Sequence, residues 1–177
     1  CGPIGKVLDE QEKKGLAENA IIVGWGNHGW HLSDELVWGK NTIFEQPRRM
    51  TLIMKVPGIE NGKTIDKVVS TTDIYPTLME LCGTPVKHSL DGLNLTGLMT
   101  NPNDSGWRNT AYSYFRNGIS LRTERYRLTK YFRDAEPVIE LYDYKADPNE
   151  TKNIASEKPE VVDSLMPLLD KGDTGLY

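Results

Sequence analysis

Apolar and polar positions change rhythm several times along the chain. Ile4, Val7, Leu8 and Gln11 recur at helical spacing with charged residues between them, and Gly15 suits the residue that closes a helix. Ile21-Ile22-Val23 is a short β-branched run of the kind expected for a buried strand, and it breaks at Gly24. Helix, short turn and buried strand make half of a βαβ unit, which points to an α/β sheet as the parent. Thr51 to Val56 reads as a second strand, stopped by Pro57-Gly58. Thr72 or Asp73 caps a helix through Ile74, Leu78, Met79 and Leu81; Pro76 falls in its first turn and Gly83 closes it. Thr84 to Arg108 is turn-rich and reads as a crossing between two parts. Beyond it the period becomes two, in Tyr112/Tyr114, Ile119/Leu121, Tyr126/Leu128 and Val138 to Tyr142, with Asn117-Gly118 as a tight turn. That rhythm predicts an antiparallel sheet, followed by a helix over 159–169.

Composition narrows the class. The 177 residues suffice for one domain, or one domain with a small appendage. A net charge of −4 and a pI near 5.4 argue against a nucleic-acid partner, which needs a basic face. No apolar run approaches the roughly 18–20 residues that span a bilayer, so no membrane partner is expected. Two cysteines, Cys1 and Cys82, allow one bridge but are equally compatible with free thiols. The triplets at Asn94, Asn103 and Asn149 fit a glycosylation pattern that also arises by chance. The chain opens without Met, inside a helical pattern, which raises the expectation of a fragment or a processed product.

Candidate chemistry concentrates between Ile21 and Lys40. Gly26 and Gly29 bracket Asn27 and His28, which carry an amide oxygen and an imidazole able to bind a divalent cation. Asn-His-Gly is also an ordinary turn sequence. His31, Asp34, Glu35 and Lys40 follow, among Trp30 and Trp38. Lys40 suits an anionic group, although a lone lysine is usually solvated; His31 suits an acid or anion contact, or a satisfied loop position. Arg48-Arg49 and Arg122, Arg125 and Arg127 read as surface charge or ion pairs, and His88 has no evident partner.

The stretch GWGNHGWHLSDELVWGKNTIFEQPRRMTLIMKVPG resembles the second conserved region of the sulfatases, in the alkaline-phosphatase-like superfamily. VVSTTDIYPTLMELCG, LDGLNLTGLM, ISLRTERYRLTKY and ELYDYKADPNETKNIA extend the resemblance through nearly the whole chain. The Trp-Gly before Asn27 and the Arg-Thr-x-x-Tyr-Arg segment are most similar to the iduronate-2-sulfatase-like branch. The resemblance implies an α/β fold: the C-terminal part of an alkaline-phosphatase-like sheet domain (1–106), then a small antiparallel α+β subdomain (107–177). It implies Asn27 and His28 as ligands to Ca²⁺ or Mg²⁺, Lys40 as the contact to the substrate sulfate, and His31 in the loop beside them. The implied reaction is sulfate-ester hydrolysis by a formylglycine nucleophile, with the metal and basic groups stabilising developing charge. The implied partners are a sulfated small molecule or glycan and an N-terminal half of the same protein. The implied compartment is periplasmic, secreted or lysosomal.

Two departures from the family pattern stand out. The nucleophile motif Cys-x-Pro-x-Arg is not matched, since Cys1-Gly2-Pro3-Ile4-Gly5 has Gly5 where arginine is required. The family's metal aspartate is Asn27 here, which keeps an oxygen donor and loses a charge. The chain by itself is therefore expected to be inactive. The alternatives are a phosphatase or phosphodiesterase of the same superfamily, and a non-catalytic remnant or binding module.

Overall fold

A computed structural model of the protein describes residues 2–60, 62–132 and 136–174. In chain order these form helix α1 (Gly2–Lys13) and strands β1 (Ile22–Trp25), β2 (His31–Leu32) and β3 (Trp38–Gly39). Helix α2 (Glu45–Arg48), strand β4 (Leu52–Lys55) and helices α3 (Ile74–Leu81) and α4 (Thr96–Thr100) follow. Strands β5 (Thr110–Tyr114), β6 (Gly118–Thr123), β7 (Tyr126–Tyr131) and β8 (Val138–Asp143) precede helix α5 (Pro159–Lys171).

Contacts divide the chain into two compact units, residues 1–27 with 50–63 and residues 28–49 with 64–177. This grouping differs from a division near residue 106. Hydrogen bonds explain why 28–49 and 64–106 join the C-terminal sheet: Asn109 Oδ1 accepts from the Val68 N–H, Trp107 Nε1 donates to the Val68 carbonyl, and Arg127 Nη1 donates to the Ile43 carbonyl.

In the first unit α1 ends at Lys13, and Gly15 in the turn after it has a φ of +66°, left-handed as a closing residue requires. Strands β1 and β4 pair antiparallel from Ile22↔Lys55 to Trp25↔Leu52. The run expected to be a buried strand is thus half of a two-stranded ribbon, half-buried at Ile22 and Val23 and exposed at Gly24 and Trp25. Lys55 Nζ donates to the Ala17 carbonyl at 2.8 Å, and Gly26 N–H donates to Thr51 O at 2.9 Å.

In the second unit the expected antiparallel sheet is present, in the order β5-β6-β7-β8. Its register sets Leu121 opposite Leu128 and Leu128 opposite Leu141. Alternation therefore puts these leucines on one face, where Leu169 and its α5 neighbours Val161, Val162, Leu165 and Met166 cover them. The other face carries Ser120, Arg127, Thr129 and Tyr142, all buried. A sheet buried on both faces, with polar groups on one of them, needs internal partners there. Arg127, Thr129 and Ser120 bond to one another and Arg127 to Glu150, while the segment around Phe44 adds the Ile43 carbonyl and a ring against Tyr142.

Helix α3 is entered differently from the expectation. Asp73 does stand at the cap position of α3 but makes no side-chain bond to the first turn of that helix. A 3-10 turn, Thr71–Asp73, precedes it and is capped by Ser70, whose side chain accepts from Thr72 N–H while Asp73 accepts back from Ser70 N–H at 2.7 Å. The other Asp73 oxygen accepts from Leu93 N–H at 2.7 Å, so a buried carboxylate joins the helix start to the crossing segment. Within that crossing α4 is a short helix that its turn residues had concealed.

Candidate functional site

The site residues of the second unit are built on three local devices. First, Gly29 lies against α2. Its N–H donates to Pro47 O at 3.0 Å, and a Cβ there would stand 1.9 Å from Gln46 O. Only glycine lets the chain after His28 run this close to another backbone. Second, β2 and β3 form a small hairpin that pairs His31 with Gly39 and Leu32 with Trp38. Asp34 Oδ2 accepts from Leu32 N–H at 3.0 Å and braces the tip, where Ser33, Glu35 and Leu36 all adopt positive φ. Third, Gly39, at φ +116°, supplies a backbone turn that L residues resist, immediately before Lys40.

These devices bring His28 and Lys40 together across 12 residues. Lys40 Nζ lies 2.8 Å from His28 Nε2, and His28 Nδ1 lies 2.7 Å from the Gly29 carbonyl. A carbonyl only accepts, so Nδ1 carries the proton; Nε2 then accepts from the lysine ammonium. Both contacts are satisfied by the neutral Nδ1–H tautomer. This is the tautomer that a backbone carbonyl imposes on metal-binding histidines, and here its Nε2 electron pair is taken by Lys40. The His28 ring also lies 6.0 Å from that of Trp30.

His31 occupies a different environment. It is fully buried; its Nε2 is 2.7 Å from Thr42 Oγ1 and its ring meets Phe44 edge-on at 6.1 Å. It is buried away from the exposed surface on which His28 and Lys40 meet, and it is only half satisfied, because its Nδ1 is buried without a hydrogen-bond partner among the described residues. Phe44 in turn packs edge-on against Tyr142 at 6.0 Å, with the Arg127 guanidinium 5.0 Å from its ring centroid. Arg127 Nη1 donates to Ile43 O at 3.1 Å and Thr129 Oγ1 at 2.9 Å, and its Nε donates to Glu150. Glu150 accepts from the Tyr144 hydroxyl and, at 2.9 Å, from the Glu45 N–H. Burial alone would lower the Arg127 pKa; the Glu150 carboxylate reverses this and raises it. The loop beyond Lys40 is therefore held at residues 43 and 45 by one buried ion pair.

The remaining sequence candidates separate. Asn27 is exposed and ends the first unit. Arg122 pairs with Glu45 and Arg125 with Asp143, whereas Arg48 donates from Nε to Thr42 O at 3.0 Å. His88 lines a groove with Glu80 and Asn94. Cys82 is exposed, and Cys1 lies outside the described residues. Among the described residues no group of three or more His, Cys, Asp and Glu side chains could hold a metal. No helix among them is long and apolar enough to cross a membrane. Sequence reasoning missed the close approach at Gly29, the Thr42 partner of His31 and the role of Glu150. The glycine was a visible signal, but Thr42 and Glu150 carried none.

Residues 26–171 match the family described as N-sulphoglucosamine sulphohydrolase, C-terminal. A sulfatase from Formosa agariphila is 31% identical over 93% of this chain and 33% of its own length. An N-acetylglucosamine-6-O-sulfatase from Bacteroides thetaiotaomicron is 29% identical, over 95% of this chain and 32% of its own. The chain thus spans about a third of the length of these relatives. A solved structure described as a complex with its substrate D-glucosamine-2-N,6-O-disulfate superposes with a TM-score of 0.87, at 29% identity, over 95% of this chain and 37% of that one. A phosphonate monoester hydrolase from Silicibacter pomeroyi shares the fold alone, with a TM-score of 0.80 at 23% identity over 90% of this chain and 35% of that one. The α/β, alkaline-phosphatase-like fold read from the sequence is borne out. The chain belongs to the N-sulphoglucosamine sulphohydrolase C-terminal family of the sulfatases.

Proposed function

We propose that the protein to which this chain belongs hydrolyses sulfate esters on a sulfated sugar, and that this chain supplies the lysine that contacts the sulfate. The observation that carries the reading is the approach of Lys40 Nζ to His28 Nε2, 2.8 Å, on an exposed surface next to Trp30. An ammonium held there offers a point charge to a sulfate oxygen and offsets charge on the leaving oxygen as the ester bond breaks. His31 acts behind it, through Thr42, by holding the loop. The relatives add the substrate class: one is named for N-acetylglucosamine-6-O-sulfate and another was solved with a disulfated glucosamine. The Trp-Gly and Arg-Thr-x-x-Tyr-Arg segments favour the iduronate-2-sulfatase-like branch. The division into parts at 1–106 and 107–177 belongs to the same reading.

His28 has the tautomer a Ca²⁺ or Mg²⁺ ligand needs, but its Nε2 would be free for the ion only with Lys40 Nζ moved away from it; Asn27, the preceding residue, offers one amide oxygen. Two neutral donors are a small part of the six to eight that such ions take, so further ligands must lie outside this chain. A metal bound there would polarise the sulfate oxygens. The chain contains no Cys-x-Pro-x-Arg motif, so aryl sulfate turnover by the 177-residue chain alone is not expected.

The shared fold with a phosphonate hydrolase supports a second reading, hydrolysis of phosphorus esters. The two are separated by kcat/KM of the full-length protein on matched aryl sulfate and aryl phosphonate substrates. Preference for the phosphonate would replace the sulfatase reading. Failure on both would favour a non-catalytic binding module.

A further inference from the structure

Two guanidinium groups without a carboxylate partner face one aromatic ring. Arg48 Cζ lies 5.5 Å and Arg116 Cζ 5.3 Å from the centroid of Phe115. Arg122, Arg125 and Arg127 each have a carboxylate within 4 Å. Among the described residues Arg48 and Arg116 have none. Arg48 is half-buried on α2, and its Nε donation to the Thr42 carbonyl at 3.0 Å fixes the plane of the group. Its two terminal nitrogens have no protein acceptor among the described residues. Burial without a counter-charge holds the Arg48 pKa below its ordinary value. Arg116 is exposed on the β5–β6 turn, in a left-handed conformation, φ +49°. Such a backbone is costly for an arginine, and here it sets the side chain over Phe115.

A fixed, partly desolvated guanidinium fork gains most from an oxyanion, and a second guanidinium lies against the same ring. The Phe115 ring holds both cations through its face without neutralising them. The position is connected to the proposed site: Thr42, which anchors Arg48, follows Lys40 by two residues and bonds to His31.

We infer that Arg48 and Arg116, gathered around Phe115, form a second anion site that binds a further sulfate group of the sugar. This rests on the reading of the parent protein as a sulfatase acting on sulfated sugars. The site would make the enzyme selective for multiply sulfated substrates.

The test is an NMR titration of the labelled 177-residue chain with inorganic sulfate, then with a disulfated disaccharide and its monosulfated counterpart. Sulfate should move the Arg48 Nε–Hε and Phe115 ring signals saturably. Arg116→Gln should weaken this about tenfold, the loss of one charge-assisted contact. Arg108→Gln, an exposed arginine elsewhere, should leave the Phe115 response unchanged. The disulfated sugar should bind more tightly than the monosulfated one, and Arg116→Gln should remove the difference. Arg48→Gln should do the same; because it also frees Thr42, the exposed Arg116 carries the decision. Absence of a saturable shift at Phe115, or a shift that Arg116→Gln leaves intact, overturns the inference. These readouts need no turnover, so a protein that binds here yet hydrolyses no sulfate would contradict the proposed function and leave the anion site standing.

Discussion

Arg127 on β7 and Glu150 beyond β8 form an ion pair whose side chains are each only 3% exposed. Between them they fix the carbonyl of Ile43 and the N–H of Glu45, the two backbone groups that flank Phe44. The C-terminal sheet thereby holds the loop that follows Lys40.

Such a pair is costly to break and cheap to replace. Arg127→Met leaves Glu150 buried without its counter-charge and should destabilise the chain by about 3–5 kcal/mol. Adding Glu150→Leu removes the stranded charge and should recover much of that loss. Urea unfolding of both variants measures this. A double variant no more stable than Arg127→Met would show that the pair is not the unit that matters.

Gly29→Ala tests the close approach beside His28. A Cβ at 1.9 Å from Gln46 O and 3.0 Å from Arg49 O meets backbone on both sides, so the loop or α2 must shift. We expect a loss of about 1–3 kcal/mol, as for overpacking elsewhere, together with loss of the nuclear Overhauser contact between His28 and Lys40. A fully stable variant that retains this contact would mean that the approach is looser than described.

Acid sensitivity should include the Arg125–Asp143 pair. The hydrogen bond from the Arg125 guanidinium holds the Asp143 pKa below its ordinary 3.8. A depressed carboxylate pKa adds stability that is complete above the unfolded value and is lost as pH falls through the folded one. The stability difference between the wild type and Asp143→Asn should therefore be constant above pH 5, and shrink below about pH 4. A difference that stays constant down to pH 2 would remove the carboxylate's charge from the account.

What could be read in advance was whatever repeats along the chain. The period of two from Tyr112 to Tyr142 gave the antiparallel sheet, and Gly15 and Gly83 marked helix ends with φ of +66° and +62°. The strand at Ile22 had the right residues but not the expected burial, because composition fixes strand propensity and not the number of partner strands. The candidates His28 and Lys40 lie close in sequence, and the structure brings their side chains together. The site was illegible where a partner comes from far along the chain: Glu150 meets Glu45 across 105 residues, and no periodicity encodes that distance. Arg127 had the look of surface charge, and only the register placing it beside Thr129 and Tyr142 reveals its burial.

In the proposed function Lys40 serves the reaction and not the fold. Its side chain is exposed, and among the described residues its hydrogen-bond partner is His28, so Lys40→Ala in the proposed complete sulfatase should change stability by no more than about ±0.5 kcal/mol. It should lower kcat/KM on an aryl sulfate by about a hundredfold or more, as loss of a charge-stabilising group does. Lys40→Arg should restore only part, since the fork is larger and differently placed. Paired unfolding and kinetic measurements on these variants separate a catalytic from a structural role of Lys40. Unchanged stability with a large loss of kcat/KM is the predicted result; an unfolded Lys40→Ala whose residual folded fraction keeps normal activity would contradict it.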